Sequence, residues 1–476
     1  MIGRKEQVEI MLSTLKKDKS SFVAVTGRRR VGKTFLIDQV YSSNFCIKVT
    51  GIQNASQESQ IVNFTQKIVE YSKEAVVVMP ENWQQVFILL KKYLMSLSKN
   101  KKQVIFIDEL PWIATVRSGF IQYLAHLWND YLSKEKHFVL VICGSATSWI
   151  TKKIVNDKGG FHNRITDPIT LLPFNLSETK QFLLSKNINL SDNSIAEIYM
   201  ATGGIPFYLE NIKKGESPSQ AIERMCFASS GILKNEYDNL YKALFDNAEN
   251  HEKIVTTLAL SAYGLSRNEL LLKTRIPPGG TFSRALEELI VSGFVFEEIP
   301  FQRQKRGTIF RLMDEFSVFY HRFIKPNKNP QKGIWTLLSN SQSYRIWLGY
   351  AFENLCFRHI DEIKKSLGIS GVYTQPFSYK YIGEKNYEGF QIDLGLDRKD
   401  DVINLIECKF YSSEFEVSKD YANKLLRRKT LFLEQTKTRK NVFITTLTNF
   451  PIKENEYSLM AIDNKLTVSD LMQKDK

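Results

Sequence analysis

Residues Ser20 to Val40 read SSFVAVTGRRRVGKTFLIDQV. The stretch enters through a short apolar run, Phe22-Val23-Ala24-Val25, and leaves through an amphipathic helical pattern that starts at Thr34 and Phe35. Between them stand Gly27, Arg28, Arg29, Arg30, Val31, Gly32 and Lys33. The spacing Gly-x-x-x-x-Gly-Lys-Thr is that of a phosphate-binding loop held between a buried strand and a helix. Glycines let backbone N–H groups turn inward on phosphate oxygens. The N-terminus of the helix adds its positive dipole. Lys33 reaches β- and γ-phosphates, and the Thr34 hydroxyl serves Mg²⁺, so Gly27 to Phe35 form a candidate ATP or ADP site. The three arginines have no such assignment. Side chains at these positions usually turn away from the phosphates, so they either raise the local potential for ATP or contact neighbouring domains.

A nucleotide site of this kind requires an acidic strand downstream. The segment KKQVIFIDELPW supplies it: Val104 to Ile107 read as a strand buried on both faces and end in Asp108-Glu109. Asp108 would hold Mg²⁺ and Glu109 would position the attacking water. Without the loop upstream, the same pair would read as a helix N-cap. A third strand, HFVLVICGSATSW, ends at Gly144-Ser145. Ser145 is either a sensor of the γ-phosphate or a helix N-cap. Arg164 precedes a further strand in GGFHNRITDPITLLPF and reads as an arginine finger, a sensor or a partner for a carboxylate.

The rest of the composition bounds the class. A chain of 476 residues exceeds a single core, so about two to four domains are expected. Hydrophobic content of 43% and charged content of 24% fit a folded soluble protein. No apolar run has the length of a membrane span, and the N-terminal MIGRKEQVEIMLSTLKK lacks a signal-peptide core. Five cysteines, Cys46, Cys143, Cys226, Cys356 and Cys408, are scattered without zinc-ligand spacing, which suits a reduced, cytoplasmic compartment. A net charge of +14 favours a polyanionic partner such as nucleic acid, although lysine-rich solubility explains it too.

From His251 the pattern becomes helix, capped helix, helix and hairpin. HEKIVTTLALSAY has helical spacing, and Ser266 with Glu269 forms a capping box for the next helix. TFSRALEELIVSG closes on Gly293, and FVFEEIPF and TIFRLMD alternate like hairpin strands around the basic loop QRQKRG. Three helices and a hairpin are the winged helix-turn-helix order. Its third helix offers only Arg284 for reading bases, beside Glu287 and Glu288, while Arg303, Lys305 and Arg306 of the wing suit phosphate contact. A purely structural winged helix is the alternative. The aromatic stretch Phe316 to Phe323 reads as core, and KPNKNPQKG as a linker.

The last region carries a second set of acids. GFQIDLGLDRKDDVINLIECKFY reads as strand, charged turn and strand. Glu407 and Lys409 share one face at i and i+2, and Asp393 lies on the partner strand. Two carboxylates would hold a divalent ion that activates water, and the lysine would steer that water or neutralise developing charge. Glu353 lies within the apolar stripe of the helical YRIWLGYAFENLCFRHI. The set resembles the PD-(D/E)xK nuclease motif, with Ile392 in place of its nominal proline. That resemblance implies a catalytic role for Glu353, Asp393, Glu407 and Lys409 and a second Mg²⁺ or Mn²⁺ on Asp393 and Glu407. A surface hairpin with a salt bridge is the alternative.

IGRKEQVEIMLSTL, TGRRRVGKT, IFIDELPW, ICGSATSWI, ITLLPFNLSETKQFL and ATGGIPFYLENI, in this order, resemble an archaeal and bacterial family of P-loop ATPases close to the AAA+ and STAND groups and related to origin-recognition ATPases. The resemblance covers roughly residues 1 to 325. It implies an ATPase core with a helical lid, Gly3 and Arg4 near the adenine end of the nucleotide, and Gly204 and Pro206 against the nucleotide as a Gly-x-Pro element. Read without it, Gly203, Gly204 and Pro206 are a helix stop and a turn. The expected fold is an α/β multidomain chain: a three-layer P-loop core over 1–172, a helical lid over 173–245, a winged helix over 246–325, a linker over 326–334 and a restriction-endonuclease-like α/β domain over 335–476. The expected function is an ATPase switch that controls DNA binding or processing. The competing reading is a STAND-like signalling ATPase whose C-terminal parts bind a protein partner or a second copy of the chain.

Overall fold

Five parallel strands organise the first of the two units into which the chain divides. They are β1 (Ser21–Gly27), β2 (Phe45–Thr50), β3 (Gln103–Asp108), β4 (Phe138–Cys143) and β5 (Asp167–Leu171), in the order β2-β3-β4-β1-β5. β1, β3 and β4 are buried along their whole length, as their unbroken apolar runs require of a sheet covered on both faces. The structure is a computed structural model and describes residues 2–473 apart from 75–77, 116, 146, 156–159, 162, 246, 262, 303–306, 329–330 and 384–388. The first unit takes in residues 1–173 with 243–246, and the second residues 174–242 with 247–476.

Helices Gln57–Ser72, Trp83–Met95 and Phe120–Asp130 contribute to the core of the first unit through an aromatic cluster. Trp83 meets Phe120 edge-on at 4.6 Å, and Phe64 meets Trp83 at 5.8 Å. Ser56 and Asn82 cap two of these helices by accepting the N–H of Ser59 and Gln85. The first helix, Lys5–Lys16, is tied to helix Lys33–Tyr41 by the Thr14 and Tyr41 hydroxyls, 2.8 Å apart and buried. With β1 between β4 and β5, and β3 beside β4, the C-terminal ends of β1, β3 and β4 are neighbours. Ligands of open parallel sheets bind at such ends.

The second unit begins with helices Leu176–Ser185 and Asp192–Thr202. Helices Glu249–Ala259, Arg267–Thr274 and Gly280–Val291 follow, with an antiparallel sheet of β6 (Leu265–Ser266), β8 (Ile309–Leu312) and β7 (Val295–Glu298). The capping box expected at Ser266 is formed in both directions with Glu269. Phe316, Phe319, Tyr320 and Phe323 are buried, as expected of core. The stretch 326–334 differs from a free linker. Lys325–Asn327 is a short 3-10 turn, the N–H groups of Gly333 and Trp335 both reach the Glu223 carboxylate at 2.8 Å, and the Trp335 ring is buried against Phe227 and Phe319. Asn329 and Pro330 lie outside the described residues.

The C-terminal sheet has the order β15-β13-β11-β10-β9, where β9 is Thr374–Tyr381, β10 Phe390–Arg398, β11 Val402–Lys409, β13 Asn441–Thr448 and β15 Asn464–Thr467. β9, β10 and β11 form an antiparallel meander, while β11, β13 and β15 run parallel. Helix Lys419–Thr436 makes the crossover from β11 to β13, and a small parallel pair, β12 (Phe415–Glu416) and β14 (Ile452–Lys453), stands apart from the sheet. The β7 end of the earlier hairpin is anchored to this sheet: Glu298 accepts the N–H of Ser378 on β9, and Phe301 packs on Phe377 and Phe432 at 4.7 and 5.3 Å. No helix among the described residues is long and apolar enough to cross a membrane.

Candidate functional site

The phosphate-binding loop takes its shape from two left-handed residues, Arg30 (φ 69°) and Gly32 (φ 91°), directly ahead of helix Lys33–Tyr41. At Gly27, a Cβ would stand 2.3 Å from the Leu171 carbonyl oxygen, so only glycine lets β5 pack beside the loop. Lys33 is buried. Its Nζ donates to the carbonyls of Gly27 and Arg28, both at 2.9 Å, and to Ser145 Oγ at 3.2 Å. Burial pushes its ammonium below the usual lysine range, while Glu109 and Asp108 work against that. The Thr34 hydroxyl donates to Asp108 Oδ2 at 3.0 Å. Asp108 Oδ1 accepts the Glu109 N–H at 2.9 Å and the Cys143 thiol at 2.6 Å. Glu109 sits at φ 46°, and its carboxylate accepts both the N–H (3.1 Å) and the hydroxyl (2.9 Å) of Ser145.

Lys33, Thr34, Asp108, Glu109 and Ser145 therefore form one hydrogen-bonded cluster across the ends of β1, β3 and β4. Arg4 Nη2 donates to the Val31 carbonyl at 3.3 Å, so Gly3 and Arg4 stand at the loop. Arg28 is buried, Arg29 and Arg30 are half-buried, Val31 is core, and Phe35 is 61% exposed on the outer face of its helix. Arg164 departs from its expected place. Val23 pairs with Asp167, and Thr166 N donates to Phe22 O, so Arg164 lies beyond the N-terminal end of β1 in an exposed turn. From Val23 to Gly27 alone is about 13 Å at the rise of a strand. Arg164 is therefore no sensor for a nucleotide bound in its own chain. Gly204 and Pro206 belong to the second unit: Gly204 O accepts the Phe174 N–H at 2.9 Å, and Pro206 opens the short helix Pro206–Leu209.

The second acidic set is also assembled. Leu394 pairs with Ile406, which sets Asp393 opposite Glu407. On the β9 side the register slips between Ile392 and Gly395, a bulge that takes in Asp393 and Leu394. Lys409 Nζ bridges the two acids, 2.8 Å from Asp393 Oδ2 and 3.1 Å from Glu407 Oε1. Helix Lys419–Thr436 adds Arg428, 2.7 Å from Glu407 Oε2, and the Tyr421 hydroxyl, 3.2 Å from Oε1. Burial works to raise Glu407, but Lys409 and Arg428 outweigh it and hold the carboxyl below its usual range. Burial and Glu407 raise Asp393, and burial with Asp393 pushes the buried Glu353 up to about 8. The two acids expected to hold a second metal are bridged by Lys409 instead. Among the described residues, no group of three His, Cys, Asp or Glu side chains is arranged to hold a metal ion.

Three partners escaped the sequence reading. Cys143 reads as ordinary core, and its thiol falls on Asp108 only because β3 and β4 are adjacent. Tyr421 and Arg428 are seven apart, on one face of a helix. That spacing was the available signal. The wing cations Arg303, Lys305 and Arg306 lie outside the described residues. Arg284 is exposed on its helix, whereas Glu288 is engaged with His251 Nε2 at 2.9 Å.

Residues 1–212 match a family described as an ATPase domain predominantly from Archaea. An uncharacterized protein of Methanocaldococcus jannaschii is 24% identical over 445 residues, 91% of this chain and 93% of that one. An uncharacterized ATP-binding protein of the same archaeon is 29% identical over 180 residues, 37% of this chain and 48% of that one. Among solved structures, a Walker-type ATPase of Pyrococcus abyssi is similar at a TM-score of 0.50 and 19% identity, covering 68% of this chain and 96% of that one. The family match and the loop geometry support a P-loop ATPase fold and ATP binding for the N-terminal part.

Proposed function

We propose that the protein is an ATP-hydrolysing switch whose nucleotide state governs an action on nucleic acid by its second unit. The single observation that carries the ATPase half is the cluster joining Lys33, Thr34, Asp108, Glu109 and Ser145. The Lys33 ammonium rests on two backbone carbonyls and a hydroxyl, all uncharged, so phosphate oxygens can replace them with gain. Thr34 and Asp108, already in contact, have the oxygen donors that suit Mg²⁺, which would neutralise charge on the β- and γ-phosphates. Glu109 holds the position of a water-orienting base. Its carboxylate must turn from Ser145 to serve, and Ser145 links that turn to Lys33.

In the second unit, we read the three helices and hairpin as a winged helix and the C-terminal sheet as a PD-(D/E)xK-like domain. The opposed Asp393 and Glu407, the bulge that takes in Asp393 and Leu394, and the adjacent Lys409 support this reading. The wing strands dock on β9, which favours a strut over a free DNA-reading wing. One observation favours the competing reading of a partner-binding domain that cuts nothing: both Glu407 oxygens are already engaged by Lys409, Arg428 and Tyr421. A nicking assay with Mg²⁺ or Mn²⁺ on single- and double-stranded DNA and RNA separates the two. Cutting that disappears in Asp393→Ala and Lys409→Ala supports the nuclease reading, and no cutting of any substrate by the wild type removes it. A Lys33→Ala variant with unchanged ATP affinity in calorimetry would end the ATPase reading.

A further inference from the structure

Beside the second acidic set, a groove of about 630 Å³ opens between the ends of β9 and β10, helix Lys419–Thr436 and Tyr263, which follows helix Glu249–Ala259. We propose that this groove binds a single strand of nucleic acid and delivers it to Asp393, Glu407 and Lys409. Its cations are Lys380, Lys424, Arg427 and Arg428, and none of its described lining residues is acidic. Tyr263, Tyr381 and Phe390 supply aromatic wall, and Lys380 Nζ stands 5.2 Å from the centre of the Tyr263 ring. A cationic track interleaved with aromatic faces suits phosphates and unstacked bases together. An acidic peptide would use the cations and leave the rings idle. The volume is that of a pocket for one or two nucleotides, too small to admit a duplex.

Arg428 connects the groove to the acids, because this lining residue also holds Glu407 Oε2 through its guanidinium at 2.7 Å. A phosphate bound in the groove competes with Glu407 for this arginine, so occupancy loosens one of the partners that neutralise the acid. The inference rests on the reading of the second unit as acting on nucleic acid, and it names the strand form of the substrate. It does not require that the strand be cut.

The test uses the full chain and fluorescence anisotropy with a labelled oligothymidylate, a duplex of equal length, and unlabelled polyglutamate as competitor. The single strand should bind at least about tenfold tighter than the duplex, with aromatic stacking as the source of the preference. The triple variant Lys380→Glu, Lys424→Glu, Arg427→Glu should lose about a hundredfold, and the slope of log affinity against log salt should flatten by about 2. Tyr263→Ala should lose about tenfold with an unchanged salt slope. If the triple variant does not fold, as judged by circular dichroism and ATP affinity, the single Lys380→Glu and Lys424→Glu variants carry the same test at about fivefold each. Unchanged oligothymidylate affinity in the charge variants would overturn the proposal. Equal affinity for duplex, or displacement by polyglutamate as effective as by unlabelled oligonucleotide, would overturn it too. Cutting is measured in parallel. Variant-sensitive binding without cutting removes the nuclease reading and leaves the groove standing.

Discussion

At two places among the described residues a lysine and two carboxylates gather beside the end of a strand, and the two places are built in opposite ways. At the phosphate loop, Lys33 is held by carbonyl oxygens and a serine, while Asp108 and Glu109 are held by neutral donors. The lysine and the acids are kept off one another, so each retains charge to spend on a ligand. At the C-terminal set, Lys409 stands between Asp393 and Glu407, and Arg428 adds a second cation to Glu407. There the charges cancel internally, and a ligand must displace an ion pair before it gains one. Similar residue types thus make a ready site in one unit and a latched one in the other.

The largest test of that contrast is Lys33→Ala. Its replaceable partners are neutral, so nearly all the binding energy of its charge is available to phosphate. Loss of one or two charge-assisted hydrogen bonds should weaken ATP about a hundredfold, measured by calorimetry. The folded state should change little, since only carbonyls and a hydroxyl lose a partner. Lys409→Met should do the reverse. Removing the cation leaves Asp393 and Glu407 face to face and should destabilise the second unit by about 2–3 kcal/mol in denaturant unfolding, the low end because the lysine is partly exposed. Adding Asp393→Asn should recover part of that loss. Mg²⁺ or Mn²⁺ should raise the stability of Lys409→Met if the two acids can take a metal. A variant with no loss and no metal response would mean that the C-terminal set is a solvated ion pair.

Acid should separate the two units next. His359 is wholly buried in the second unit, donating Nδ1–H to the Leu355 carbonyl at 2.7 Å and accepting the Leu176 N–H on Nε2 at 3.0 Å. Protonation at Nε2 would set two donors against each other. Burial, further helped by Arg358, pushes the ring down to about 4. The folded value lies below the unfolded one near 6.5, so the unfolded state takes up the proton first. Stability is therefore full above pH 6.5 and falls as pH drops toward 4, by about 2 kcal/mol at pH 5. His359→Gln should flatten this dependence in pH-stepped unfolding of the second unit. An equal slope in the variant would assign the acid sensitivity elsewhere, His321 being the next buried ring.

How much of this was legible depends on how local each contact is in sequence. Gly27 to Thr34 are consecutive, so loop chemistry could be read directly, and Asp108 and Glu109 followed from the requirement for an acid on a buried strand. Glu407 and Lys409 were legible through the two-residue period of a strand. Arg164 was not, because its place depends on the register of β5 against β1, which its own sequence does not carry. Arg428 and Tyr421 reach Glu407 through a crossover helix, and Phe301 and Gln302 reach Phe432 and Thr436 from a hairpin over a hundred residues away in sequence. Their local sequence says helix and hairpin end. Partner choice is a property of packing, and it turns the C-terminal motif from an open site into a latched one.

The smallest expected effect falls on Ser145, the residue that makes the loop site more than a set of ligands. It accepts from Lys33 and donates to Glu109, so it joins the two residues proposed to bind phosphate and to orient water. Ser145→Ala removes both hydroxyl contacts but leaves Lys33 its two carbonyls and leaves Glu109 the backbone N–H of residue 145. ATP affinity should therefore change little. If the hydroxyl donates to the γ-phosphate during turnover, kcat should fall about tenfold with KM nearly constant. A rise in kcat would identify the hydroxyl as a brake that keeps Glu109 turned away, and the contrast between the two regions would narrow, since the nucleotide site would then carry a latch of its own. Ser145→Thr, which keeps the hydroxyl, should restore the wild-type rate in either case and separates the loss of that group from a disturbance of the strand end beneath it.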